Sequence, residues 1–169
     1  PELLGGAISL DGLPIFPGNE RSTPHAVKAE ADALAARIGV ESAAQFEEGE
    51  RTQMLPALVT APGDVAEMTP LVAKSDPKAT AEWFREDLEL DLRPQLPKAR
   101  VPILLLAPYD PVTQGKYAPN AAAVKTYYAS LAAGAPQLSV VVIANSRHFA
   151  MYDQPAAVAS AIDAFLAAH

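Results

Sequence analysis

The 169-residue sequence contains no cysteine. Disulfides, thiolate metal sites and a cysteine nucleophile are therefore excluded, and the composition fits a cytoplasmic protein. Basic charge is scarce: 13 Lys and Arg stand against 20 Asp and Glu, a net charge of −7, with no Lys/Arg run. A nucleic-acid binder would carry a basic patch or stripe, so nucleic acid is not an expected partner. No apolar stretch is long enough to span a bilayer, and nothing resembles a signal peptide. No His, Asp and Glu residues fall at metal-ligand spacing. None of the serines (Ser9, Ser22, Ser42, Ser75, Ser130, Ser139, Ser146 and Ser160) lies in a Gly-x-Ser-x-Gly turn.

What is present is ordinary globular composition. Half the residues are hydrophobic, enough for one domain with a real core. Sixteen prolines punctuate the chain, so short elements in a compact set are expected. Ala7 to Leu10 reads as a strand ended by the turn signal Asp11-Gly12. A helix is predicted from Pro24 to Ile38, capped by Ser22 or Thr23, with Val27, Ala31, Leu34 and Ile38 at helical spacing and Gly39 as its stop. Further helices are expected from Ser42 to Leu55, from Val65 to Ala73, and from Ser75-Asp76-Pro77 through Trp83, Phe84 and Leu88.

The pattern changes at Pro97. Val101 to Leu106 is a continuous apolar run, the mark of a strand buried on both faces of a parallel sheet. A helix from Asn120 to Ala132 follows, with Val124, Tyr127, Tyr128 and Leu131 inward and Gly134 as stop. Leu138 to Ile143 is a β-branched strand. Asp153 is the expected cap of the last helix, whose stripe is Val158, Ile162, Phe165 and Leu166. Strand–helix–strand units of this kind build a parallel sheet with right-handed crossovers, an α/β fold. Residues 1–19 and 97–169 form the sheet-bearing core in this reading, and 20–96 are a helical insertion.

In open parallel sheets, functional groups gather beyond the carboxyl ends of the strands. His148 and Asp110 both fall there, and so does Asp11. A histidine base needs a carboxylate on its other ring nitrogen to fix the tautomer and stabilise the imidazolium.

Val101 to Asp110, followed by Val140 to Pro155, resembles the closing segment of the α/β-hydrolase family. There the acid follows one strand, and the histidine lies between the last strand and the last helix. Arg147-His148-Phe149 resembles the family's Gly-His-Phe stretch, with arginine in place of glycine as a minor departure. Gly6 to Pro14 resembles the strand after the nucleophile helix, and residues 20–96 resemble the family's cap. The resemblance covers nearly the whole chain but only the C-terminal half of a family member. It implies the C-terminal part of a doubly wound, mostly parallel sheet with a helical cap, His148 as catalytic base and Asp110 as acid. Asp11, which a turn alone would explain, is the reserve acid. The nucleophile and oxyanion hole would lie upstream of Pro1. The first residue is not methionine, which methionine removal or a cut in a longer chain would explain.

The implied activity is hydrolysis of a small organic substrate, by ester cleavage and without a cofactor. A second polypeptide carrying the N-terminal half is the implied partner, because the Ala7–Leu10 strand would otherwise present an unpaired apolar edge. A hydrolase-like binding module, catalytically inactive, is the alternative. A third reading makes Pro1 a catalytic base, as in tautomerases with an N-terminal proline. His25 and His169 read as exposed bystanders, the Glu47, Glu48 and Glu50 cluster as a solvated helix face, and Trp83 and Phe84 as cap packing. Phe16, Phe149 and Met151 suit either a pocket lining or the core.

Overall fold

The computed structural model describes residues 4–115 and 118–169. Pro1, the candidate tautomerase base, lies outside them. In chain order the elements are β1 (Ala7–Leu10), α1 (Pro24–Ile38), α2 (Ala43–Gly49), a π-helical stretch Glu50–Met54, α3 (Leu55–Leu58), α4 (Pro62–Val72), α5 (Pro77–Glu89), a 3-10 turn Arg93–Lys98, β2 (Ile103–Tyr109), α6 (Pro111–Gln114), α7 (Ala121–Leu131), β3 (Leu138–Ala144), α8 (Ala150–Asp153) and α9 (Pro155–Ala168). They divide into two compact units, Pro1–Pro14 with Leu92–His169, and Ile15–Asp91.

In the first unit the strands form one parallel sheet in the order β1-β2-β3. The central strand β2 is buried along almost its whole length, as its unbroken apolar run requires. Its side chains alternate between two cores. Leu105, Ala107 and Tyr109 pack with Val124, Tyr128 and Ala132 of the α7 segment. Leu104 and Leu106 pack with Val158 and Phe165 of α9. One strand thus feeds a helix on each face, a three-layer α/β arrangement.

β2 runs on through Pro108, past the end of the apolar run. The Leu106 carbonyl accepts from Asp11 N–H at 3.0 Å, so position 106 faces β1. By alternation position 108 faces the same side, beyond Leu10, the last β1 residue in register. Proline there removes one N–H from β2 at the point where β1 has ended and Asp11 turns away at φ 53°.

The helical unit follows its local signals. Thr23 caps α1 by accepting from Ala26 N–H, with Pro24 in the first turn. Ser42 and Gln45 form a reciprocal capping box on α2. The helix predicted from Ser42 to Leu55 extends to Leu58 by way of the π-helical stretch, where Leu55 N–H bonds Glu50 O. Pro56, which has no N–H to give, explains why the regular spacing breaks at that point. Ala35, Ile38, Phe46 and Ala81 form a buried cluster in this unit, with Leu34 and Phe84 against it. Trp83, expected in that packing, is 69% exposed. Among the described residues no helix is long and apolar enough to cross a membrane.

Candidate active site

Asp11, Asp110 and His148 all lie just beyond the carboxyl ends of the parallel strands, and each is held there by its backbone. Asp11 directly follows β1 with φ 53°, in the left-handed region that Asp tolerates better than most residues. Its N–H continues the ladder onto Leu106 O. Gly12 follows because a Cβ at that position would stand 2.5 Å from Ser9 Oγ, which donates to the Gly12 carbonyl.

The loop bearing His148 leaves β3 through Asn145, also left-handed at φ 56°. Ser146 is fully buried, its hydroxyl on Ile143 O at 2.7 Å and its N–H on Tyr109 O at 3.3 Å. Arg147 N–H donates to Asp153 Oδ2 at 2.7 Å, and Gln154 Nε2 donates to Asn145 O at 3.1 Å. Asp153 therefore closes this loop rather than capping α9. The residue at the α9 cap position is Gln154, which makes no side-chain cap.

His148 Nδ1 lies 2.8 Å from Asp11 Oδ2. An ionised carboxylate only accepts, so Nδ1 carries the proton and Nε2 is the basic nitrogen of the neutral ring. The other Asp11 oxygen accepts from the hydroxyl of Tyr128. Burial first, then the charge and hydrogen bond of Asp11, push the Tyr128 phenol far above its ordinary range, so it stays protonated and donates. Phe149 packs edge-on against the imidazole, centroids 4.9 Å apart. The carboxylate is mostly buried and the imidazole is 45% exposed, a shielded acid behind a base open to solvent.

Asp110, the acid expected from sequence, is engaged elsewhere. It caps α6, its Oδ1 accepting from Val112 N–H at 3.0 Å, while Oδ2 accepts from Thr113 Oγ1 at 3.1 Å and from Arg147 Nε at 2.8 Å. Burial would raise its carboxyl, but the bonds from Arg147, Val112 and Thr113 and the guanidinium charge outweigh that and hold it below the usual carboxylate range. The histidine is thus brought to the reserve acid, Asp11. The arginine at 147 is no minor departure, since it occupies the other carboxylate.

Sequence reasoning missed Tyr128 and Arg147. Tyr128 reads as one more inward residue of α7, yet a buried tyrosine needs a partner for its hydroxyl, and that was the available signal. Tyr127 beside it is exposed, as is Leu166 on α9. Met151 and Phe16 are each 39% exposed, neither a core residue. His25 and His169 are exposed, His169 against the Phe165 ring. Among the described residues no group of three or more His, Asp or Glu is placed to hold a metal ion.

No family model matches this sequence, and no curated protein is significantly similar to it. Solved structures are similar in fold. MenH from S. aureus is 18% identical with a TM-score of 0.66, over 96% of this chain and 59% of that one. A thermophilic esterase from Thermogutta terrifontis is 21% identical with a TM-score of 0.67, over 96% and 56%. An enol-lactonase from Burkholderia xenovorans is 18% identical with a TM-score of 0.60, over 97% and 56%. This chain thus spans less than two thirds of the length of the structures it matches. Its parallel sheet, with a helix on each face, is part of an α/β-hydrolase fold.

Proposed function

We propose that this chain is part of an α/β-hydrolase-type enzyme that cleaves esters of small organic molecules. In this reading His148 is the general base and Asp11 its orienting acid. The observation that carries it is the His148 Nδ1–Asp11 Oδ2 bond of 2.8 Å at the carboxyl ends of parallel strands. The nucleophile belongs to a segment outside these 169 residues, a second polypeptide or an upstream part of the same one. The helical unit Ile15–Asp91 is proposed as the cap, and the absence of cysteine favours a cytoplasmic setting.

The chemistry needs no cofactor. Nε2 of His148 takes the proton of the nucleophile as its oxygen attacks the ester carbonyl, and Asp11 stabilises the imidazolium. The imidazolium returns that proton to the departing alkoxide, leaving an acyl-enzyme. Water then attacks the acyl carbon, again losing its proton to Nε2, and the acid product leaves as the nucleophile is reprotonated. Tyr128 keeps the Asp11 carboxylate fixed throughout.

The test is turnover of p-nitrophenyl acetate by the complete protein, with labelling by a fluorophosphonate. Turnover, and a labelled serine outside residues 1–169, are expected. His148→Ala should lower kcat/KM by about 10³-fold or more and suppress labelling. Neither turnover nor labelling in the complete protein would refute the enzyme and favour a hydrolase-like binding module.

A further inference from the structure

Two carboxylates, at the ends of the adjacent strands β1 and β2, bond the loop that follows β3. Consecutive residues of that loop take one each: Arg147 bonds Asp110, and His148 bonds Asp11. The division follows from chemistry. Asp110 and the Arg147 side chain are both largely buried, 6% and 19% exposed. A guanidinium is permanently charged, weakly hydrated and presents its donors in a rigid fork, so it outcompetes a neutral imidazole for a buried carboxylate. With Val112 N–H and Thr113 Oγ1 already on Asp110, the guanidinium takes the next acceptor position. Asp11 is meanwhile prepared for the ring by its left-handed backbone and by Tyr128 on its other oxygen.

We propose that Arg147 is a positioning residue that decides which carboxylate serves the histidine: by occupying Asp110 it assigns His148 to Asp11. Glycine at 147 leaves Asp110 with Val112 and Thr113 and an acceptor position open to Nδ1. The acid of this site is then set by a residue whose guanidinium bonds the other carboxylate. The inference rests on the reading of His148 as base, but it can be tested without catalysis.

The experiment is proton NMR of the complete protein, following the far-downfield resonance of a histidine Nδ1 proton bonded to a carboxylate. The resonance is expected in the unmodified protein and in Asp110→Asn, and it should vanish in Asp11→Ala. It should return in Asp11→Ala/Arg147→Gly and vanish again when Asp110→Asn is added. Circular dichroism checks folding of each variant, and Arg147→Ala replaces Arg147→Gly if the glycine variant does not fold. A folded double variant that stays silent, or a resonance lost in Asp110→Asn alone, overturns the proposal. A restored resonance in a protein that cleaves no ester would sustain it while the hydrolase reading failed.

Discussion

If Asp110 is a structural counter-ion to Arg147, neutralising it should cost stability in a pH-dependent way. Asp110→Asn keeps the shape and the acceptor that caps α6 through Val112 N–H. It removes the charge facing Arg147 Nε at 2.8 Å, across a pair 19% and 6% exposed. Breaking a fully buried pair costs about 3–5 kcal/mol, and a hydrogen bond to a charged group contributes about 1.5–3 kcal/mol. The isosteric amide and the partial exposure of Arg147 put the expected loss near the lower values, about 2–3 kcal/mol at neutral pH. The folded carboxyl is depressed below its ordinary range. Its contribution is therefore complete above the unfolded value of about 3.9 and is lost as pH falls through the folded value. Urea unfolding of both proteins between pH 7 and pH 2.5 should show a constant gap down to about pH 5 that narrows below about pH 4. A gap under about 0.5 kcal/mol at neutral pH, or one that widens on acidification, would refute the assignment.

Other consequences can be measured in the same way. Tyr128→Phe removes the donor on Asp11 and should cost about 1–2 kcal/mol of stability and up to about tenfold in kcat/KM, read from denaturation and ester turnover. Leu104→Ala, in the core shared with α9, should cost about 2–5 kcal/mol, whereas Leu166→Ala on the exposed side of α9 should stay within about 0.5 kcal/mol. Gly12→Ala should cost about 1 kcal/mol through its contact with Ser9 Oγ, and adding Ser9→Ala should recover part of that, a coupling that a double-mutant cycle of denaturation midpoints measures.

Most of the scaffold is legible in the sequence because its signals are local. Thr23-Pro24 and Gly39 bracket α1, and the apolar run from Val101 marks a strand buried on both faces. The continuation of that strand through Pro108 is less legible, because it depends on where β1 stops. Tyr127 and Tyr128 are adjacent on a helix, about 100° apart, so only one can face the sheet, and the sequence does not say which. The site divides in the same way. His148 is marked by its own neighbours, whereas Asp110 is engaged by Arg147, 37 positions away in sequence. Asp153 has the chemistry of a helix cap but meets the Arg147 N–H instead, and only the folded loop shows which donor is nearer.

The pairing of His148 with Asp11 is tested most directly by comparing kcat/KM for Asp11→Asn and Asp110→Asn in the complete protein, on one activated ester at pH 7.5. Replacing the carboxylate that orients a catalytic histidine lowers the rate by about 10⁴-fold where a triad operates. A loss of that order is expected for Asp11→Asn, and a loss within about tenfold for Asp110→Asn, whose carboxylate serves the fold. The reverse ranking would contradict the assignment and return the role of acid to Asp110.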